Sequence, residues 1–219
     1  MKKAILIFSL GLFSVTANAQ MVLQSGGSST LSFRKSPNFK DAEASGSKYF
    51  KESYQNARVN KGDQNFLVRY NAYSDIMEYN NGSDMLDLIK EKNTHFVFQD
   101  GSIYELFTYT TKGESLERYH QVVVDNNDVK ISKFRSIELI PGKKATNSYD
   151  VDTQPAYKAK EEVYYITVNN VTSEFDGKQK SLVNLFPGKE EAIKAFYKNN
   201  RIKENDSDMI KLGNFLATL

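Results

Sequence analysis

The 219-residue chain contains no cysteine and no tryptophan, and only two histidines and four prolines. Without a thiol there is no disulfide, no thiolate nucleophile and no Cys-ligated metal site. Zinc sites draw three or four ligands from His, Cys and carboxylates at set spacing, and neither HExxH nor a histidine pair at i, i+4 occurs. The phosphate-cradling patterns GxxxxGK and GxGxxG are missing, and so is the GxSxG elbow of serine hydrolases. These absences remove the familiar nucleotide-using, zinc-hydrolase and serine-hydrolase classes. With no Trp, aromatic bulk rests on fourteen Phe and thirteen Tyr, a load that suits sheet packing or an interface.

The N-terminus points to export. Lys2 and Lys3 precede a twelve-residue apolar run, Ala4 to Val15, and Ala17-Asn18-Ala19 then offers small residues for cleavage. This is the pattern of a Sec-type signal peptide, residues 1–19. An uncleaved anchor is the competing reading, but the run falls short of the roughly 20 residues that span a bilayer. No Cys stands at the cleavage site to carry a lipid. Loss of Lys2 and Lys3 leaves 27 basic against 27 acidic residues. The sequence pI of about 8.5 therefore overstates the mature charge, and a neutral chain has no global attraction to nucleic acid. No integral membrane segment is expected after signal cleavage. Lack of Cys beside an export signal suits a bacterial substrate that folds by packing alone.

Residues 20–48 are small and polar, with GGSST at Gly26 to Thr30 and SPNFKDAEASGS at Ser36 to Ser47. They read as a flexible arm with one short strand at Thr30 to Phe33. Residues 49–175 read as strands. In FLVRYNAYSDIMEY (Phe66 to Tyr79), Phe66, Val68 and Tyr70 share one side, and Met77 and Tyr79 alternate after a polar corner. Asn80-Asn81-Gly82 and Gln99-Asp100-Gly101 are hairpin turns. Val129 to Ile140 alternates too, but Lys133 and Arg135 interrupt its apolar face, which predicts a bend or bulge. Pro141 to Ala159 reads as a long exposed loop and Val163 to Val168 as a buried strand.

From residue 176 the period changes. Ser181 is placed to cap a turn, Lys189 to Asn200 is amphipathic, and Asp206 or Ser207 is placed to cap a last helix carrying Met209, Leu212, Leu216 and Leu219. The expected fold is α+β and β-rich: an antiparallel, strongly curved meander sheet with a C-terminal helical hairpin, residues 176–219, packed on it.

Weighed singly, the polar candidates are structural. His95 opens a strand and His120 lies within one. Asp75 with Glu78, or Glu161 with Glu162, has no spacing that favours acid–base chemistry, since adjacent strand residues face opposite ways. The oxygen-rich runs Asp125 to Asp128 and Asn205 to Asp208 lack the EF-hand spacing and read as a turn and a helix cap. The tail lysines, interspersed with Glu190, Glu191 and Glu204, read as a solvated helix surface. No catalytic, cofactor-binding or metal residue is assigned, and no cofactor is expected.

The ordered segments YFKESYQNARV (Tyr49 to Val59), FLVRYNAYSDIMEY, FVFQDGSIYELF (Phe96 to Phe107), LERYHQVVV (Leu116 to Val124) and the Lys-rich tail from Lys180 to Leu216 resemble a group of secreted Bacteroidota proteins. The resemblance covers most of the mature chain. It implies a periplasmic, outer-membrane-associated or extracellular setting and supplies no activity. The expected role is a non-enzymatic structural or accessory module that meets another envelope or exported protein, with Arg69, Tyr70, Tyr73 and Tyr79 as its candidate surface. The alternatives are a module binding a small molecule or glycan, and a hydrolase of unrecognised type.

Overall fold

A computed structural model describes residues 21–25, 29–36, 43–60, 62–111, 113–126, 128–147 and 149–219. The expected signal peptide lies outside the described residues, as does part of the expected arm. Within that arm two strands are present, β1 (Met21–Ser25) and β2 (Ser29–Lys35). They are followed by β3 (Gln55–Val59), β4 (Asn65–Asn71), β5 (Ile76–Asn80), β6 (Met85–Leu88), β7 (His95–Phe98) and β8 (Ile103–Thr111). Next come β9 (Glu114–Asp125), β10 (Val129–Phe134), β11 (Ile137–Ile140), β12 (Ala156–Ala159), β13 (Val163–Val168) and β14 (Val171–Phe175). Three helices end the chain: α1 (Gln179–Leu185), α2 (Glu190–Asn199) and α3 (Asp206–Leu216).

Twelve strands form one antiparallel sheet in the order β1-β2-β6-β5-β4-β3-β7-β8-β9-β10-β13-β14, and β11 pairs with β12 separately. The β-rich fold with terminal helices is as the sequence predicts. The strong curl is not. The sheet stays open, with β1 and β14 as its outermost strands, and its C-terminal part is covered by helices instead of by its own continuation. Closure would need those two edges to meet.

Period-2 alternation decides which residues are inside. Phe66, Val68 and Tyr70 of β4 are buried on one face with Met77 of β5, while Leu67 points outward. That face carries a core reaching from Phe33 through Val59 and Phe96 to Tyr119. Farther along the sheet, Val129, Ile131, Tyr164, Ile166 and Phe175 meet Leu182 of α1, Ile193 of α2 and Met209, Leu212 and Leu216 of α3. The helical element is thus three helices, one more than a hairpin. The cap of α3 is Asn205, not the expected Asp206 or Ser207, which lie inside the helix; Asn205 accepts from the Asp208 backbone N–H at 3.0 Å, so the second oxygen-rich run serves the helix end.

The other face of the sheet holds a third core around His120. Phe107, Tyr109, Phe134 and Tyr165 enclose its ring at centroid distances of 4.5–5.6 Å. A bulge interrupts the β9–β10 register between Ile131 and Ser132. Its extra residue is Val123 of β9, whereas the stretch carrying Lys133 and Arg135 divides into β10 and β11 on either side of Arg135 and Ser136. Lys133 is buried and pairs with Asp206 at 2.8 Å and Glu162 at 3.2 Å. Among the described residues no helix is long and apolar enough to cross a membrane.

Candidate ligand-binding cleft

The segment before β3 makes the site. Residues 43–54 have no regular helix or strand and run as a strap over the sheet. Ser45 donates its backbone N–H to Pro155 O at 2.9 Å, and Lys48 O accepts from Ala72 N–H at 3.0 Å. Arg69 fixes the middle of the strap. Its guanidinium lies 3.7 Å from the Tyr49 ring centroid and 4.3 Å from that of Tyr54. It donates to Glu52 O at 2.8 Å and to Glu78 Oε2 at 2.7 Å. Glu78 also accepts from Asn71 Nδ2 at 2.7 Å. Burial, and then the Glu78 charge, push the Tyr49 hydroxyl well above the usual phenol range.

With the strap pinned there, Phe50, Lys51 and Ser53 stand opposite β3, the β7–β8 hairpin and β9. Between them lies a half-open cleft of about 370 Å³. Tyr70, Phe98 and Tyr104 form its aromatic floor, with Tyr104 at centroid distances of 5.1 Å from Tyr70 and 5.6 Å from Phe98. Gln55 and Gln121 line it half-buried, and their side-chain amides have no hydrogen-bond partner among the described residues. Lys51 pairs with Asp100 across the mouth. Arg135 stacks 3.9 Å from the Phe50 ring centroid and has its Nε 2.7 Å from Glu162 Oε1. That contact is an ion pair by distance, although its angle does not make a hydrogen bond.

The electrostatics of the cleft are balanced. Its cations Lys51, Arg69 and Arg135 face Asp100, Glu78 and Glu162. Burial raises the Tyr104 hydroxyl against the opposing pull of Arg135. Burial and the Asp75 carboxylate raise Tyr70 well above its ordinary value. At neutral pH these phenols are therefore hydrogen-bonding groups, not phenolates. The arrangement can hold a ligand by stacking and hydrogen bonds, and its one lining carboxylate, Asp100, is already engaged by Lys51 and by Ser102 Oγ at 2.6 Å.

Of the four residues picked from sequence, Arg69 and Tyr70 line this cleft. Tyr79 packs instead on Phe33 and Phe66, at centroid distances of 5.1 and 5.7 Å. Tyr73 is exposed at the β4–β5 corner, edge-on to Tyr157 at 5.2 Å. The four do not meet in one patch. Sequence reasoning missed Gln55, Phe50, Gln121 and Arg135. The break in alternation at Arg135 was the one available signal, since a charge on a buried face needs a partner.

The remaining polar candidates lie elsewhere. Asp75 is buried and accepts from Tyr70 Oη at 2.9 Å, Tyr119 N at 3.1 Å and Lys90 Nζ at 2.5 Å. Strand register sets Glu105 opposite both His95 and His120, but its carboxylate is taken by Lys130 at 2.5 Å. The described residues contain no group of three or more His, Cys, Asp or Glu able to hold a metal ion. Compared with family models, curated proteins and solved structures, the chain matches none.

Proposed function

We propose that this chain is an exported, non-catalytic binding module of a bacterial cell envelope and that the strap cleft is its ligand site. The signal-peptide pattern at residues 1–19 supports export. The observation that carries the binding reading is the cleft: an aromatic floor, two unengaged amides and neutralised charges in one concavity. A general acid or base needs a titratable group free to exchange a proton with substrate, whereas the charged groups lining this cleft are ion-paired.

The test is a thermal-shift screen of residues 20–219 against glycans and small polar metabolites, run beside Gln121→Trp. Binding to N alone raises the melting temperature by mass action. Compounds that stabilise the wild type and leave Gln121→Trp unmoved support the reading. Compounds that stabilise both chains equally overturn it, and so does a screen without any binder.

A second surface favours the accessory-protein reading. The 143–153 loop is held at its stem by Lys143 and Thr153 and at its tip by Asn147 and Asp150. It presents Tyr149 at 97% and Val151 at 81% exposure. Crosslinked purification from host envelope, comparing wild type with Tyr149→Ala, tests this reading. One stoichiometric protein partner that depends on Tyr149 supports it, and recovery of the chain alone counts against it.

A further inference from the structure

We infer that the ligand is an oligosaccharide whose one unit sits in the strap cleft and whose next units cross the β7–β8 hairpin tip into a second depression. This rests on the binding reading above and names the chemical class. The second depression, about 570 Å³ and more open, is lined by Asn56, Asn65, Gln99 and Arg58 and shares Phe98 and Gly101 with the first. Both concavities adjoin the hairpin tip, and Gln55 and Asn56, neighbours on β3, serve one depression each.

Two observations favour a polyhydroxylated chain. The cations of the first cleft are already paired with carboxylates, so a charged ligand there would have to displace an existing partner. A neutral ligand would not. Side-chain amides recur on both sides of the tip, Gln55 and Gln121 on one and Asn56, Asn65 and Gln99 on the other. An amide sets a donor beside an acceptor, which matches neighbouring hydroxyls on a sugar ring.

The experiment is calorimetric titration of residues 20–219 with neutral gluco-, manno- and galacto-oligosaccharides of graded length, from single sugars upward. At least one series is expected to gain about tenfold in affinity once the chain extends beyond the unit in the first cleft, the scale of one or two added hydrogen bonds. Asn65→Ala, on an exposed side chain, is expected to remove that gain and leave the short ligand unchanged. Gln121→Ala is expected to weaken all lengths by a similar factor. Circular dichroism of both variants checks that the fold is kept. Affinity independent of length overturns the inference, as does a length gain that survives Asn65→Ala. If non-saccharide compounds bind in a Gln121-dependent way and no oligosaccharide does, the binding reading stands and the saccharide assignment fails. If neither kind binds, both fail.

Discussion

His120 shows how a residue type that invites a functional reading can be wholly structural. Its Nδ1 lies 3.1 Å from Ser132 Oγ, its Nε2 has no partner among the described residues, and aromatic rings surround it. Burial, and then the nearby Arg118 charge, lower its pKa to about 3 from an ordinary value of 6.5. The unfolded chain therefore binds this proton more readily than the folded one. The resulting stability is fully present above pH 6.5 and is lost as pH falls toward about 3, with a limiting slope of about 1.4 kcal/mol per pH unit. Urea unfolding at pH 6.5 and pH 5 is expected to show a loss of about 2 kcal/mol that His120→Leu does not share. Equal losses in both chains would remove His120 from the account. Arg69 makes the complementary prediction. Its side chain and that of Glu78 are only 15% and 13% exposed, so Arg69→Ala strands a carboxylate as well as releasing the strap. A loss of about 3 kcal/mol is expected in the same assay. Arg69→Lys keeps the charge but not the fork between Tyr49 and Tyr54, so it should recover only part of that loss.

At the scale of elements, the legible parts were those with a clean period. The strands around Phe66 and Met77, the turns at Asn80 to Gly82 and Gln99 to Gly101, and the two longer helices all follow from alternation, turn residues and helical period. What escaped had weaker punctuation. β14 was missed because the turn before it is Asn169-Asn170, with no glycine. Both residues nonetheless adopt positive φ, 50° and 62°, the two-residue geometry that a tight hairpin demands. β12 lay hidden in a polar, proline-containing stretch, and its pairing with β11 is a long-range contact that no local period announces. The strap was invisible for the same reason: its order comes from Arg69 and Ala72, not from its own sequence. α3 carries a further packing device. A Cβ at Gly213 would stand 2.4 Å from Val124 Cγ1, so the helix meets β9 at a distance only glycine allows. Gly213→Ala gains about 1 kcal/mol of helix propensity, against an overpacking cost of about 1–3 kcal/mol. A net loss of up to about 2 kcal/mol is expected by denaturant unfolding. The double variant Gly213→Ala with Val124→Ala should recover the steric part, and additivity of the two losses would contradict the contact.

At the scale of the molecule, one long antiparallel sheet is buried in different ways along its length. Its N-terminal part carries an aromatic core on one face, its C-terminal part is sealed by helices on that face, and the opposite face gathers aromatic side chains around His120. The cleft opens beside the first of these cores, where the strap bridges from the small β11–β12 pair to the start of β3. Segments distant in sequence supply its lining, from Phe50 in the strap to Arg135 between β10 and β11. Such a site cannot be read from local spacing, which explains why the sequence placed Arg69 and Tyr70 on a surface patch with Tyr73 and Tyr79. The most direct test of the central claim is an amide NMR titration of residues 20–219 with the tightest binder from the thermal-shift screen. Shifts are expected to concentrate at residues 50–55, 98–104, 121 and 135 and to leave the 143–153 loop and the helices unmoved. Shifts confined to that loop or to the helical tail would contradict the claim.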